Sequence, residues 1–146
     1  MMPTRVGAVQ LISDQSDVDG NIERSLAFCD RAAKRKVQIL CFPEGASTGF
    51  DWVSEGKASD CPYAEPVPGP MVERFSAKAA ETGMYIIYGM VERPKGSRQI
   101  YNTAFLVGPT EGYIGRFRKV HAEDVFANGT DAEVFHTKHG RIGIFI

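Results

Sequence analysis

Two side chains in this sequence stand where strand ends would bring chemistry together, Glu44 and Lys119. Glu44 closes the run Val37-Gln38-Ile39-Leu40-Cys41-Phe42-Pro43-Glu44, whose β-branched and apolar residues predict a strand buried on both faces. Pro43 cannot donate to a sheet ladder, so the strand stops there and Glu44 lies just past its carboxyl end. Open α/β sheets place their ligand crevices at that end. A carboxylate set between dry sheet residues and a loop suits a general base. The plainer alternative is a solvated glutamate opening a loop. Lys119 follows a second predicted strand, Tyr113 to Arg118. A carboxylate and an ammonium so placed form either an acid/base couple or a buried ion pair, and the ion pair is the default.

The elements that must position them read as β-α-β-α-β-β-β, an α/β layered sheet rather than a pure Rossmann repeat. Arg5 to Leu11 predicts a first short strand. A helix then starts near Asp19 or Asn21, either of which could cap it, and buries Ile22, Leu26, Cys29 and Ala33 at helical spacing. Lys34, Arg35 and Lys36 crowd its carboxyl end, where positive charge complements the helix dipole. After Glu44 comes a long irregular passage punctuated by glycine and proline as far as Pro70, of the kind that is usually functional or disordered in compact domains. Its aromatic residues Phe50 and Trp52 could wall a pocket beside Glu44 or simply cover a sheet edge. A second helix is predicted from Pro70 to Thr82, with proline at its start and Gly83 past its end. Strands are predicted at Met84–Val91 and Tyr101–Val107, the latter joined by a turn to the strand before Lys119. Short strands at Glu133–His136 and Ile142–Ile146 flank a turn.

The totals narrow the function classes. The 146 residues are the size of one domain and would bury about 68–70% of the unfolded surface. Hydrophobic residues make up 43% and charged residues 24%, so the composition is that of an ordinary globular domain. A net charge of −1 gives no electrostatic footprint for nucleic acid or an anionic membrane. No apolar run reaches the ~20 residues of a membrane span, and the first residues lack the apolar core of a signal peptide. Cys29, Cys41 and Cys61 form no metal-ligand spacing, and their odd number fits a reducing, cytoplasmic setting. Cys29 and Cys41 read as core packing. His136 and His139 share no metal-ligand spacing either.

Several motifs occur in order along the chain: Ala8-Val9-Gln10, Phe42-Pro43-Glu44, Tyr101-Asn102-Thr103-Ala104, Gly115-Arg116-Phe117-Arg118-Lys119-Val120-His121 and Gly140-Arg141-Ile142-Gly143. Each is weak alone. Together they resemble the nitrilase (carbon–nitrogen hydrolase) superfamily, over nearly the whole chain but only about the first half of a family domain. The resemblance implies a four-layer α-β-β-α sandwich of which residues 1–146 supply the N-terminal half. It also implies a Glu–Lys–Cys triad, with Glu44 as general base and Lys119 stabilising the tetrahedral intermediate. The nucleophilic cysteine would follow Ile144-Phe145-Ile146 directly, so these residues lack it. A second glutamate that positions substrate and supports the lysine maps onto Glu123, with Asp124 as competitor. Ala122 stands where the family usually has leucine, and Asn128-Gly129-Thr130 replaces a frequent Pro-Gly-Asp turn. Both departures fall in the loop that carries Glu123. His121 reads as a structural histidine.

The resemblance thus implies a hydrolase of non-peptide carbon–nitrogen bonds in small molecules, acting on a linear amide or N-carbamoyl substrate through a Cys thioester. The runner-up within that chemistry is a nitrilase acting on a nitrile. A different class is a non-catalytic half-domain serving in binding or assembly. No cofactor or metal is implied, and homo-oligomers, dimeric or larger, are expected by analogy. The apolar stretch that ends the sequence predicts that the domain continues beyond it or needs a second polypeptide, and that these residues alone are inactive.

Overall fold

The computed structural model describes residues 3–15, 17–50 and 61–146; Trp52 falls outside them. Apolar segments at Val6–Ala8 (β1), Ile39–Cys41 (β2), Tyr85–Glu92 (β3), Tyr101–Gly108 (β4) and Gly112–Arg118 (β5) form one sheet in that order. The first three strands run parallel, with Ala8 opposite Cys41 and Cys41 opposite Ile87. β4 and β5 return antiparallel, with Gly89 opposite Ala104 and Thr103 opposite Arg118. Parallel strands need helical crossovers, and these are α1 (Val18–Lys34) and α2 (Pro70–Thr82). A separate hairpin, β6 (Val134–Thr137) and β7 (Gly140–Gly143), follows.

The helices pack on one face of the sheet, over an aromatic cluster. The Phe75 ring lies 4.0 Å from that of Tyr88 and 5.9 Å from that of Phe105, and Phe42 meets Tyr88 at 5.2 Å, edge-on. The opposite face carries Ile87, Ala104, Leu106 and Phe117, covered by Phe135 of β6 and by Ile144. Glu44, Lys119 and Asn102, discussed below, lie on that second face or at the strand ends that border it.

Helix α1 departs from expectation at its start. Its cap is Asp17, not Asp19 or Asn21, and the Asp17 carboxylate accepts the Gly20 N–H at 2.9 Å. Asn21 is turned inward and fully buried, donating to the carbonyls of Asp14 at 2.7 Å and Ser47 at 2.8 Å. It thereby ties the helix to the loop that follows Glu44. The buried stripe is Asn21, Ile22, Ser25, Cys29 and Ala32, so Leu26 and Ala33 are only partly covered. Helix α2 matches its predicted limits, but Gly69 supplies no side-chain cap. Glu65 does so from a distance, accepting the Met71 N–H at 2.9 Å.

β2 is shorter than its apolar run because β1 offers only three residues to pair with. It is also buried on one face rather than two: Leu40 is covered, while Ile39 and Cys41 are half-buried. β7 runs from Gly140 to Gly143 instead of from Ile142 to Ile146.

The aromatic cluster sets a first test. Phe75 is fully buried, so Phe75→Ala should cost about 3–5 kcal/mol in denaturant unfolding. Leu26→Ala, at the half-covered edge of the same layer, should cost clearly less.

Candidate active site

Glu44 owes its place to a glycine on the neighbouring strand. Gly89 of β3 lies directly beneath the chain as it leaves β2. A Cβ there would come within 2.5 Å of the Pro43 carbonyl oxygen and 3.2 Å of the Glu44 Cα. Only a residue without a side chain lets the Pro43-Glu44-Gly45 backbone settle onto the sheet at this point.

Lys119 is fixed by the end of β5. Its N–H donates to the Asn102 carbonyl at 2.9 Å, and its own carbonyl accepts the Gly129 N–H at 2.8 Å. A Cβ on Gly129 would meet the Arg118 carbonyl oxygen at 2.2 Å, so this close return of the chain also requires glycine. The preceding residue acts as an anchor. Arg118 grips the buried Glu92 with two hydrogen bonds, of 2.9 and 2.6 Å, and its guanidinium lies 3.9 Å over the Tyr101 ring. Arg116 adds a contact to Glu92 at 3.2 Å, and Thr103 donates its hydroxyl at 2.9 Å. Glu92 is 1% exposed, and such a carboxylate is tolerable only when paired and hydrogen-bonded as completely as this.

These supports bring the predicted residues together. The Lys119 ammonium lies 2.7 Å from Glu44 Oε1 and 2.9 Å from Glu123 Oε1. The Asn102 side-chain amide donates to the same Glu44 Oε1 at 2.6 Å. The lysine side chain is 16% exposed, against 37% for Glu44 and 46% for Glu123. Glu44 is thus more open to solvent than a carboxylate enclosed by dry sheet residues would be. A pocket of about 310 Å³ opens beside it, walled by Cys41, Ile87, Gly89 and Ala104 and bordered by Ile144, Phe145 and Ile146. Phe50 packs elsewhere, against the cluster of Cys61, Val91, Ile100 and Phe126, rather than on this pocket.

The electrostatics follow from the ion pairs. Hydrogen bonds to Glu44 first, and to Glu123 second, hold the Lys119 ammonium above its ordinary range. The bond from Lys119 is also the main cause that lowers the Glu123 carboxyl. The ammonium is therefore a fixed positive charge rather than a proton donor at neutral pH. Burial pushes the Cys29 thiol up to about 12, and burial likewise raises Cys41 and Cys61. None of these three is an activated thiolate.

The loop after Lys119 is held by its unusual residues. Asn128 accepts the Ala122 N–H at 3.0 Å through its side-chain oxygen, Phe126 donates to the Glu123 carbonyl at 2.8 Å, and Ala127 donates to Ile100 at 2.8 Å. Those bonds turn Glu123, and not Asp124, toward the lysine. His121 is exposed, which leaves it no packing role of the kind a structural histidine has. Among the described residues, no three His, Cys, Asp or Glu side chains are grouped to hold a metal ion. No helix among them is long and apolar enough to cross a membrane. The residue that sequence reasoning passed over is Asn102. Its signal was present, because an amide inside an apolar strand must find a partner when buried.

The family model for carbon–nitrogen hydrolases matches residues 5–146. The chain belongs to the carbon–nitrogen hydrolase family. Among curated relatives, the omega-amidase NIT2 of Xenopus tropicalis is 28% identical over 139 residues, spanning 86% of this chain and 48% of that protein. The aliphatic nitrilase of Sinorhizobium fredii is 28% identical over 166 residues, spanning 100% of this chain and 53% of that protein. The chain therefore spans about half the length of the relatives it matches. The crystal structure of Saccharomyces cerevisiae Nit3, a member of the nitrilase superfamily, superposes with a TM-score of 0.84 at 22% identity, over 97% of this chain and 54% of Nit3. That likeness establishes the fold: a mixed sheet backed by two helices, about half of the nitrilase-type domain.

The ion pairs make a pH prediction. Glu123 titrates lower in the folded state than its ordinary 4.5, so its contribution to stability is present above that value and is lost as the pH falls below it. The difference in unfolding midpoint between the parent protein and Glu123→Gln should therefore hold steady at neutral pH and shrink on acidification below 4.5. A difference that stays constant into acid would show that Glu123 gains nothing from Lys119.

Proposed function

We propose that the protein containing this chain hydrolyses the carbon–nitrogen bond of a small linear amide or N-carbamoyl compound through a cysteine thioester. The observation that carries the reading is the Lys119 ammonium bridging Glu44 and Glu123 at 2.7 and 2.9 Å beside a strand-end pocket. The omega-amidases among the relatives favour an amide substrate, and the aliphatic nitrilase supports a nitrile as the second reading.

In this reading residues 1–146 are the N-terminal part of the catalytic domain, and the nucleophilic cysteine follows Ile146. A thiol at neutral pH needs a base close by. Glu44 takes the thiol proton as sulfur attacks the carbonyl carbon. The negative charge that forms on the carbonyl oxygen is met by Lys119, whose raised affinity for its proton keeps the ammonium charged throughout. Collapse of the tetrahedral intermediate breaks the carbon–nitrogen bond, and Glu44 returns the proton to the departing ammonia or amine. Water, deprotonated in turn by Glu44, then attacks the thioester. The acid leaves, and the thiol recovers its proton. Glu123 holds Lys119 from the other side and lines the approach to it. The protein is further proposed to work as a homo-oligomer, with neither metal nor organic cofactor in the reaction.

Glu44→Gln in the full-length protein should lower kcat by about 10²–10⁴-fold while the fold is retained. Near-parental turnover would remove Glu44 as the base. Lys119→Ala should lower kcat by about 10²–10³-fold, as expected for a lost oxyanion partner. A change confined to KM would instead make Lys119 a substrate-binding group.

A further inference from the structure

Glu44 Oε1 accepts two hydrogen bonds, from the Lys119 ammonium at 2.7 Å and from the Asn102 amide at 2.6 Å. Oε2 takes none among the described residues. The terminal torsion of a glutamate is soft and nearly two-fold, so an unrestrained carboxylate exchanges its two oxygens freely. Two donors converging on one oxygen remove that freedom. We infer that Asn102 is a positioning residue that, together with Lys119, locks the Glu44 carboxylate so that Oε2 alone faces the reacting thiol and water. This inference rests on the proposed hydrolase reading and deepens it.

The geometry around Asn102 fits the task. The residue is 2% exposed, on the second position of β4, directly opposite Val91 of β3. Its carbonyl holds the Lys119 backbone at 2.9 Å while its amide holds the Glu44 side chain. The bonds therefore close a ring: Asn102 to the Lys119 backbone, along the lysine to its ammonium, across to Glu44 Oε1 and back to the Asn102 amide. One buried residue thus sets both the lysine and the carboxylate from the same strand position. An amide is suited to it, because it donates without adding a charge that would compete with Lys119. An aspartate in its place would present lone pairs to the Glu44 carboxylate, and a leucine would present nothing.

Three forms of the full-length protein, the parent, Asn102→Leu and Asn102→Asp, are compared for turnover of a small aliphatic amide, with thermal unfolding followed in parallel and Glu44→Gln as control. Both substitutions should lower kcat by about 100-fold with KM within about threefold of the parent, since the group acts on the base and not on the substrate. Relative to the parent at each pH, Asn102→Asp should recover as the pH is lowered, because a protonated carboxyl donates to Glu44 again. Asn102→Leu should show no such recovery. The inference is overturned if Asn102→Leu keeps kcat within threefold of the parent, if the loss lies in KM alone, or if the two variants share one pH profile. Should Asn102→Leu fail to fold, the acid recovery of Asn102→Asp decides. Failure of both to fold makes Asn102 a structural residue and ends the proposal. A parent that turns over amide alongside an inactive Glu44→Gln upholds the hydrolase reading however Asn102 behaves. A parent inactive on amides and nitriles alike removes that reading and this inference with it.

Discussion

A single carboxylate oxygen, Glu44 Oε1, is the point on which the polar contacts at this strand-end pocket converge. It is the meeting point of a cation from the end of β5 and a neutral amide from inside β4. Neither donor is a near neighbour in sequence, so the meeting exists only because the sheet is built in one register. A shift of one residue in the β4–β5 pairing would turn β5 over relative to β4 and take Lys119 away from the face that carries Asn102. The alternation that puts Asn102 on the pocket face also sends Thr103 to the opposite one, where it meets Glu92.

The rest of the structure reads as support for that register. On the helix face, Glu92 collects Arg116, Arg118 and Thr103 into a charge cluster that locks β3, β4 and β5 together next to Lys119. Buried ion clusters of this kind add little net stability, because desolvation offsets most of the attraction. Their value here is geometric, since Arg116 and Arg118 are among the residues that pair β5 with β4 just before the lysine. On the other side of the sheet, the close contacts at Gly89 and Gly129 bring backbone, rather than side chains, against the two residues whose charges meet. The aromatic layer under α2 supplies the hydrophobic burial that holds these polar devices in place.

Much of this was legible in the sequence where the signal was local. Pro43 ends a strand wherever it stands, so the position of Glu44 could be read directly. Pro70 and Gly83 bracket a helix by chemistry that does not depend on the rest of the fold. The start of α1 was not legible, because Asp17, Asp19 and Asn21 are all competent caps. The choice among them turned on Asn21 finding the carbonyls of Asp14, just before the helix, and of Ser47, in the loop after Glu44. The length of β2 was misread for a similar reason: its own residues favour a longer strand, and its neighbour β1 limits it. The partners of Glu92 lie on other strands and that of Asn102 just past the end of one, so an amide and an acid within apolar runs signalled a need without naming what would satisfy it. Asn128 looked like a departure from a familiar turn, yet its side chain secures the loop that turns Glu123 toward the lysine.

The chain belongs to the carbon–nitrogen hydrolase family, and the cluster around Glu44 Oε1 is the arrangement to which the proposed chemistry is assigned. A crystal structure of the full-length protein tests that arrangement most directly. The account predicts one Glu44 oxygen within about 3.2 Å of both the Lys119 ammonium and the Asn102 amide, with the other oxygen turned toward the reacting sulfur. Finding lysine and asparagine on different oxygens, or the carboxylate swung out into solvent, would contradict it.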